Sequence, residues 1–272
     1  MTFQQKLDKI VKKNNSLLCV GLDPVIEKLP RHLLTSKFPF FEFNKAIIDA
    51  TYDLVCCYKP NSAFYEALGE KGIGELKKTC DYLTKKYPEI PILLDFKRGD
   101  IGNTNKSYAT FAFEYLKADA ITVQPYQGRQ ALQPFLDYKD KGIFVLCKTS
   151  NAGSDEFQNL LISGKPLYTI VAHAIAKNWN QNNNCFVVAG ATYPKELAEI
   201  RKIVGDMTIL SPGLGAQGGQ ETFMKKCLNS KKSGLIINSS RETLFAGNGK
   251  DFAQKSRIKA GKLRGLFNSY RL

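Results

Sequence analysis

Reactive side chains crowd most densely into the run Pro91-Ile-Leu-Leu-Asp95-Phe-Lys97-Arg-Gly-Asp100-Ile101-Gly-Asn-Thr104. Its apolar first half reads as a strand. Side chains alternate across a strand, so Asp95 and Lys97 are expected on one face and Phe96 on the other. Gly99 then turns the chain and Asp100 follows, which puts acid, ammonium and acid within six residues. A plain surface ion pair, worth about 0–1 kcal/mol, is the simplest account of such a run. The end of an apolar strand is a costly place for one, because each charge there sheds part of its hydration. Two more charges close apolar runs elsewhere: Lys59 in Tyr58-Lys59-Pro60-Asn61 and Asp23 in Val20-Gly-Leu-Asp23-Pro24. An alternating array of this kind can hold an anionic substrate and keep a lysine protonated. It can also set a carboxylate where it opposes substrate charge in the ground state but not in the transition state.

A second group of residues suits phosphate. In Ser211-Pro-Gly-Leu-Gly-Ala-Gln217-Gly-Gly-Gln220 the glycines let backbone N–H groups approach an anion, and in Asn238-Ser-Ser-Arg241-Glu242 the arginine offers a fork of donors. Gly213 to Gly218 also matches G-x-G-x-x-G, which would suit NADP with Arg241 on the 2′-phosphate. That motif is weak alone, and only one further strand follows it, too little for the rest of a dinucleotide domain. No P-loop occurs. The two histidines, His32 and His173, have no second His or Cys at ligand spacing, so a structural zinc site or a Ser-His-Asp machine is poorly supplied. No metal site is expected.

These groups need a scaffold that gathers strand ends. Apolar or β-branched runs recur at Leu17–Leu22, Leu54–Tyr58, Ile92–Phe96, Ala120–Val123, Ile143–Lys148, Cys185–Val188, Thr208–Leu210 and Leu235–Ile237. Helix-length segments lie between them, around 41–52, 66–86, 104–116, 130–138, 167–178, 194–204 and 220–228. Eight strand-then-helix units predict an α/β chain folded as one (β/α)8 TIM barrel over residues 1–272. A doubly wound open sheet is the competing arrangement. In a barrel, Asp23, Lys59, Asp95 with Lys97, Gln124, Lys148 with Ser150, Gln217 and Arg241 all fall at the C-terminal rim, where βα loops converge. Phe3, Leu7, Ile10 and Val11 predict an amphipathic helix at about 3–13. Leu263, Leu266, Phe267 and Tyr270 predict another within a basic segment at about 250–272.

Composition narrows the class further. The 272 residues are 43% hydrophobic and 24% charged, ordinary globular values that exclude a disordered or low-complexity chain. Apolar runs fall well short of the roughly 18 residues of a membrane span, and the N-terminus has no apolar core of a secretory signal. Seven cysteines without a C-x-x-C pair read as buried thiols of a cytoplasmic protein. The formal charge of +14 raises the alternative of an RNA- or anionic-surface-binding protein. Residues 250–272 alone hold seven Lys/Arg against one Asp. No aromatic-interleaved basic motif stands elsewhere, so a nucleic-acid partner is not expected.

The run Asp95-Phe-Lys97-Arg-Gly-Asp100-Ile-Gly-Asn-Thr104 resembles the D-x-K-x-x-D-I-x-x-T signature of the orotidine 5′-phosphate decarboxylase family. The resemblance extends in order through Gly21-Leu-Asp23-Pro24, Lys59-Pro-Asn61-Ser-Ala-Phe64, Thr149-Ser150-Asn151, Pro212 to Gly219 and Ser240-Arg241, in the form of the longer-loop branch. It implies cofactor-free conversion of orotidine 5′-phosphate to uridine 5′-phosphate and CO2, the last step of de novo UMP synthesis. Lys97 would then stabilise and protonate the C6 carbanion, with Asp95 against the departing carboxylate. Lys59 and Asp23 would bind the ribose and orient the array, Ser150 would contact the pyrimidine, and Gln217 with Arg241 would hold the phosphate. Asp100 and Thr104 would reach into a partner's site, which implies a homodimer with shared active sites. The sequence leaves open whether the chain works beside the orotate phosphoribosyltransferase that makes its substrate. Metal-dependent sugar-phosphate aldolases and decarboxylases share D-x-K-x-x-D and are the nearest alternative.

Overall fold

Eight short strands, each apolar enough to be buried on both faces, form one parallel sheet: β1 (Leu18–Gly21), β2 (Cys57–Lys59), β3 (Leu93–Arg98), β4 (Ala120–Val123), β5 (Gly142–Lys148), β6 (Cys185–Ala189), β7 (Ile209–Pro212) and β8 (Leu235–Ser239). The computed structural model describes residues 1–213 and 221–272 of the chain. Neighbours run β2-β1-β8-β7-β6-β5-β4-β3. The two ends of that order meet through parallel bridges, Tyr58 to Ile92 and Asn61 to Asp95. Tyr58 N–H donates to the Pro91 carbonyl at 3.1 Å, and Asp95 N–H to the Pro60 carbonyl at 2.9 Å. The sheet therefore closes into a (β/α)8 barrel, and the open-sheet alternative fails on these bonds. Closure sets β2 beside both β1 and β3, with Lys59 level with Gly21.

Helices surround the barrel, among them Pro39–Thr51, Gly69–Lys86, Gly102–Ala109, Gly128–Leu136, Leu167–His173, Pro194–Val204 and Glu221–Cys227. Two of them run on into wider turns, Thr110–Tyr115 and Ala174–Trp179. The Phe3–Asn14 helix starts with a reciprocal cap between Thr2 and Gln5 and lies under the barrel's N-terminal end. Its Phe3 ring packs edge-on against Phe144 and Phe186 at 5.5 and 5.4 Å. Gly142 makes room for it, since a Cβ there would stand 2.6 Å from the Phe3 ring.

The Phe252–Ser269 helix buries Phe252, Ser256, Ala260, Leu263 and Phe267 along one stripe. Phe252 stacks on Phe43 with ring centres 5.1 Å apart. Its basic face meets acids of the same chain: Arg257 pairs with Asp53, Lys255 with Asp251 and Lys259 with Glu242. All seven cysteines are buried. Among the described residues no helix is long and apolar enough to cross a membrane. The strand pattern does not foresee a two-stranded hairpin, Leu161–Ile162 with Lys165–Pro166, turned by Ser163 and Gly164 at φ +50° and +77°. Ser-Gly between apolar residues is a turn signal for positive φ at both positions, obscured here by the shortness of its strands.

Candidate active site

Closure brings three strand ends to one floor. Lys59, the last residue of β2, is buried, and its Nζ donates to Asp95 Oδ2 at 2.9 Å. Lys97 Nζ donates to the other oxygen, Oδ1, at 2.6 Å, and the Thr122 hydroxyl donates to that same atom at 2.8 Å. Asp23 stands just beyond β1 and accepts the Asn61 N–H at 3.0 Å. Burial alone would raise the Asp95 carboxyl, but the charges of Lys59 and Lys97 outweigh it and hold the group well below the ordinary carboxylate range. Burial would likewise lower Lys59, and the carboxylates of Asp95 and Asp23 hold its ammonium above the usual lysine range instead. The result is an ionised acid between two ammonium groups. One of them is enclosed, and the other, Lys97, has a side chain 43% exposed toward the cavity.

The backbone that presents Lys97 is not a regular strand. Pairing of β3 with β4 runs Leu93 to Ala120 and Leu94 to Ile121, then jumps to Arg98 opposite Val123. Residues 95–97 therefore face the single residue Thr122, and Lys97 takes a left-handed φ of +44°. Simple alternation foresaw the right pair of neighbours for an incomplete reason, because a bulge re-aims the lysine. For a residue with a side chain this conformation costs about 1–2 kcal/mol. The displaced Lys97 N–H donates to the Thr122 hydroxyl at 3.0 Å. Thr122 thus serves the acid and the backbone of the lysine together.

Above this floor opens a cavity of about 1160 Å³. Asp23, Lys59, Asp95, Lys97 and Thr122 line its base, Leu146, Val188 and Leu210 its inner wall, and Gln124, Ser150 and Asn238 its rim. Apolar walls with a few convergent charges suit a small molecule that carries both charge and apolar surface.

A sequence profile described as the orotidine 5′-phosphate decarboxylase / HUMPS family matches residues 16–255. The chain belongs to this family. It is 49% identical over 271 residues to a protein of Cellvibrio japonicus named orotidine 5′-phosphate decarboxylase, covering 98% of each chain. Among solved structures, the Leishmania donovani OMP decarboxylase superposes with a TM-score of 0.87 at 38% identity, over 100% of this chain and 99% of that one. A Leishmania donovani UMP synthase matches at 0.88 and 39% identity over 100% of this chain and 57% of its own.

Within the orotidine 5′-phosphate decarboxylase / HUMPS family framework, Asp23, Lys59, Asp95, Lys97 and Ser150 come together around one cavity. Asp100, Thr104 and Arg241 are not among the residues lining it. Asp100 lies in the loop after β3, where buried Asn105 accepts its N–H at 3.0 Å and donates to its carbonyl. Thr104 is exposed in the Gly102–Ala109 helix. Arg241 is exposed at the start of the short Arg241–Leu244 helix, one residue beyond rim residue Ser240. Gln217 lies outside the described residues. Sequence reasoning missed Thr122, whose only signal is a hydroxyl inside the apolar run Ala120-Ile-Thr-Val123. It also gave no role to Asn61, whose backbone holds Asp23.

Proposed function

We infer that the chain decarboxylates orotidine 5′-phosphate to uridine 5′-phosphate, the last step of de novo pyrimidine synthesis and the reaction for which its relatives are named. The observation that carries the mechanism is Asp95, its two oxygens held by the Lys59 and Lys97 ammonium groups on the cavity floor. In our reading the substrate carboxylate is bound against Asp95, where two negative charges repel. As the C6–carboxylate bond breaks, its electron pair stays on C6 and CO2 leaves neutral, so the repulsion vanishes. The Lys97 ammonium stabilises the carbanion and transfers a proton from Nζ to C6, then regains one from solvent. Asp95 holds the Lys97 Nζ in place until that moment. Asp23 and Lys59 bind the ribose, Ser150 the pyrimidine, and Gln217 and Arg241 the phosphate.

Asp100 and Thr104 act, in this proposal, in the cavity of a second copy, so that the enzyme is a homodimer with shared sites. Their absence from this chain's own cavity supports that reading. So does the exposure of Ile101 and Tyr126, 62% and 95%, on loops at the same end of the barrel. The buried thiols suit the reducing cytoplasm.

The related sugar-phosphate enzymes use the signature carboxylates to hold Mg2+. Here both oxygens of Asp95 face ammonium groups, which repel a divalent cation. The deciding assay follows ultraviolet loss of orotidine 5′-phosphate with and without EDTA. Turnover is expected in both, and either no turnover or a loss confined to the EDTA arm would overturn the assignment.

A further inference from the structure

Lys148 ends β5 and is almost wholly buried, with a side chain 1% exposed. Its ammonium has three N–H donors and finds three acceptors: Ser154 Oγ at 3.0 Å, Asp155 Oδ1 at 2.6 Å and Asn159 Oδ1 at 3.1 Å. The Tyr193 ring, from the loop after β6, lies 4.4 Å from the same nitrogen. All three acceptors belong to the segment that follows Ser150. Within residues 151–160 only Ser154 is buried, so that segment has almost no apolar anchorage of its own. A clasp between Gln158 and Thr149 supplements the lysine: the Thr149 N–H donates to Gln158 Oε1, and Gln158 Nε2 donates to the Thr149 hydroxyl, each at 2.8 Å. Ser150, Asn151, Phe157 and Gln158 from this stretch all line the cavity.

A stretch held by polar contacts and little else depends on those contacts being strong. Charge-assisted bonds to a desolvated ammonium are among the strongest a protein offers, and an aliphatic side chain there would leave the three acceptors without their shared donor. We propose that Lys148 is a positioning residue that orders the 150–159 segment against the loop after β6 and thereby sets the side of the cavity that meets the pyrimidine. It touches no reacting atom. The consequence for the substrate rests on the proposed function, in which Ser150 contacts the base; the ordering of the segment does not.

The test compares wild type, Lys148→Met and Asp155→Asn. Asp155 is 54% exposed, so its amide variant leaves the barrel intact even if Lys148→Met fails to fold. Amide hydrogen exchange on the free protein is expected to quicken about tenfold or more in residues 149–160 of each folded variant, with the strands protected as before. With orotidine 5′-phosphate as substrate, KM is expected to rise by about tenfold in Lys148→Met and by less in Asp155→Asn, while kcat falls by a smaller factor. A purely structural lysine predicts lower yield or Tm with unchanged KM in the folded protein, and that result overturns the proposal. So does wild-type exchange across 149–160 in every variant that folds. If wild type itself fails to consume orotidine 5′-phosphate, the functional assignment falls, and the exchange arm still decides the ordering role.

Discussion

In the proposed mechanism, Lys59, Asp95 and Lys97 divide stability and chemistry unequally. Asp95 is nearly enclosed between two ammonium groups, so Asp95→Asn leaves them uncompensated and is expected to destabilise by about 3–5 kcal/mol in urea unfolding. Lys97→Ala removes a half-exposed partner while Lys59 still holds the acid. Its stability loss should be about 1 kcal/mol or less, with turnover reduced by about 10⁴-fold or more. Retention of substantial activity would rule Lys97 out as the proton donor. The pH dependence follows from the directions of the shifts. Asp95 is lowered, so its contribution is complete above the ordinary carboxylate value near 3.9 and fades only as pH falls through its lower folded value. Lys59 is raised, so its contribution is complete below about 10.4 and fades as pH rises beyond that. The stability gap between wild type and Asp95→Asn should therefore stay constant from about pH 5 to 9 and narrow on acidification below about pH 4. At this scale the sequence revealed the charges, because an Asp and a Lys that close an apolar run must give up hydration, a cost that marks them as used. It hid Thr122, because one hydroxyl in a short apolar strand reads as a tolerated exception.

Strands were the most legible elements, since each is covered on both faces and so appears as an unbroken apolar run. Their C-terminal ends were not, because there the ladder yields to bulges: pairing of β3 shifts between Leu94 and Arg98, and that of β5 between Leu146 and Lys148. Both shifts sit beside a lysine that leaves the regular pattern. The other end of the barrel joins apolar packing around Phe3 to an ion pair between Lys6 and Asp119, and its apolar part gives a separate test. Gly142→Val would drive a side chain into the Phe3 ring and is expected to destabilise by about 1–3 kcal/mol. Adding Phe3→Ala should recover part of that loss, measurable as a non-additive double-mutant cycle in thermal or urea unfolding. Strict additivity would show that Phe3 does not occupy the space above Gly142.

For the molecule as a whole, the surplus of positive charge first suggests a nucleic-acid partner. The Phe252–Ser269 helix instead packs its apolar stripe on the barrel and meets chain acids with Lys255, Arg257 and Lys259, so this basic segment is docked rather than a free arm. The remaining charge suits a cavity that admits a phosphate and a carboxylate together. The proposed sharing of sites between two copies makes a prediction that no monomer can satisfy. Inactive Lys97→Ala and Asp100→Ala proteins, mixed under exchanging conditions, should regain up to about one quarter of wild-type activity, because each hybrid dimer contains one complete site. No recovery despite demonstrated exchange would leave Asp100 serving its own chain. Closure of the N-terminal end also imposes an order on biosynthesis. Phe186 leaves the ribosome 183 residues after Phe3, which at about 5–20 residues per second is a delay of roughly 10–40 s. Throughout that interval the helix that seals the barrel has no seat, so vectorial synthesis delivers the stopper long before the vessel.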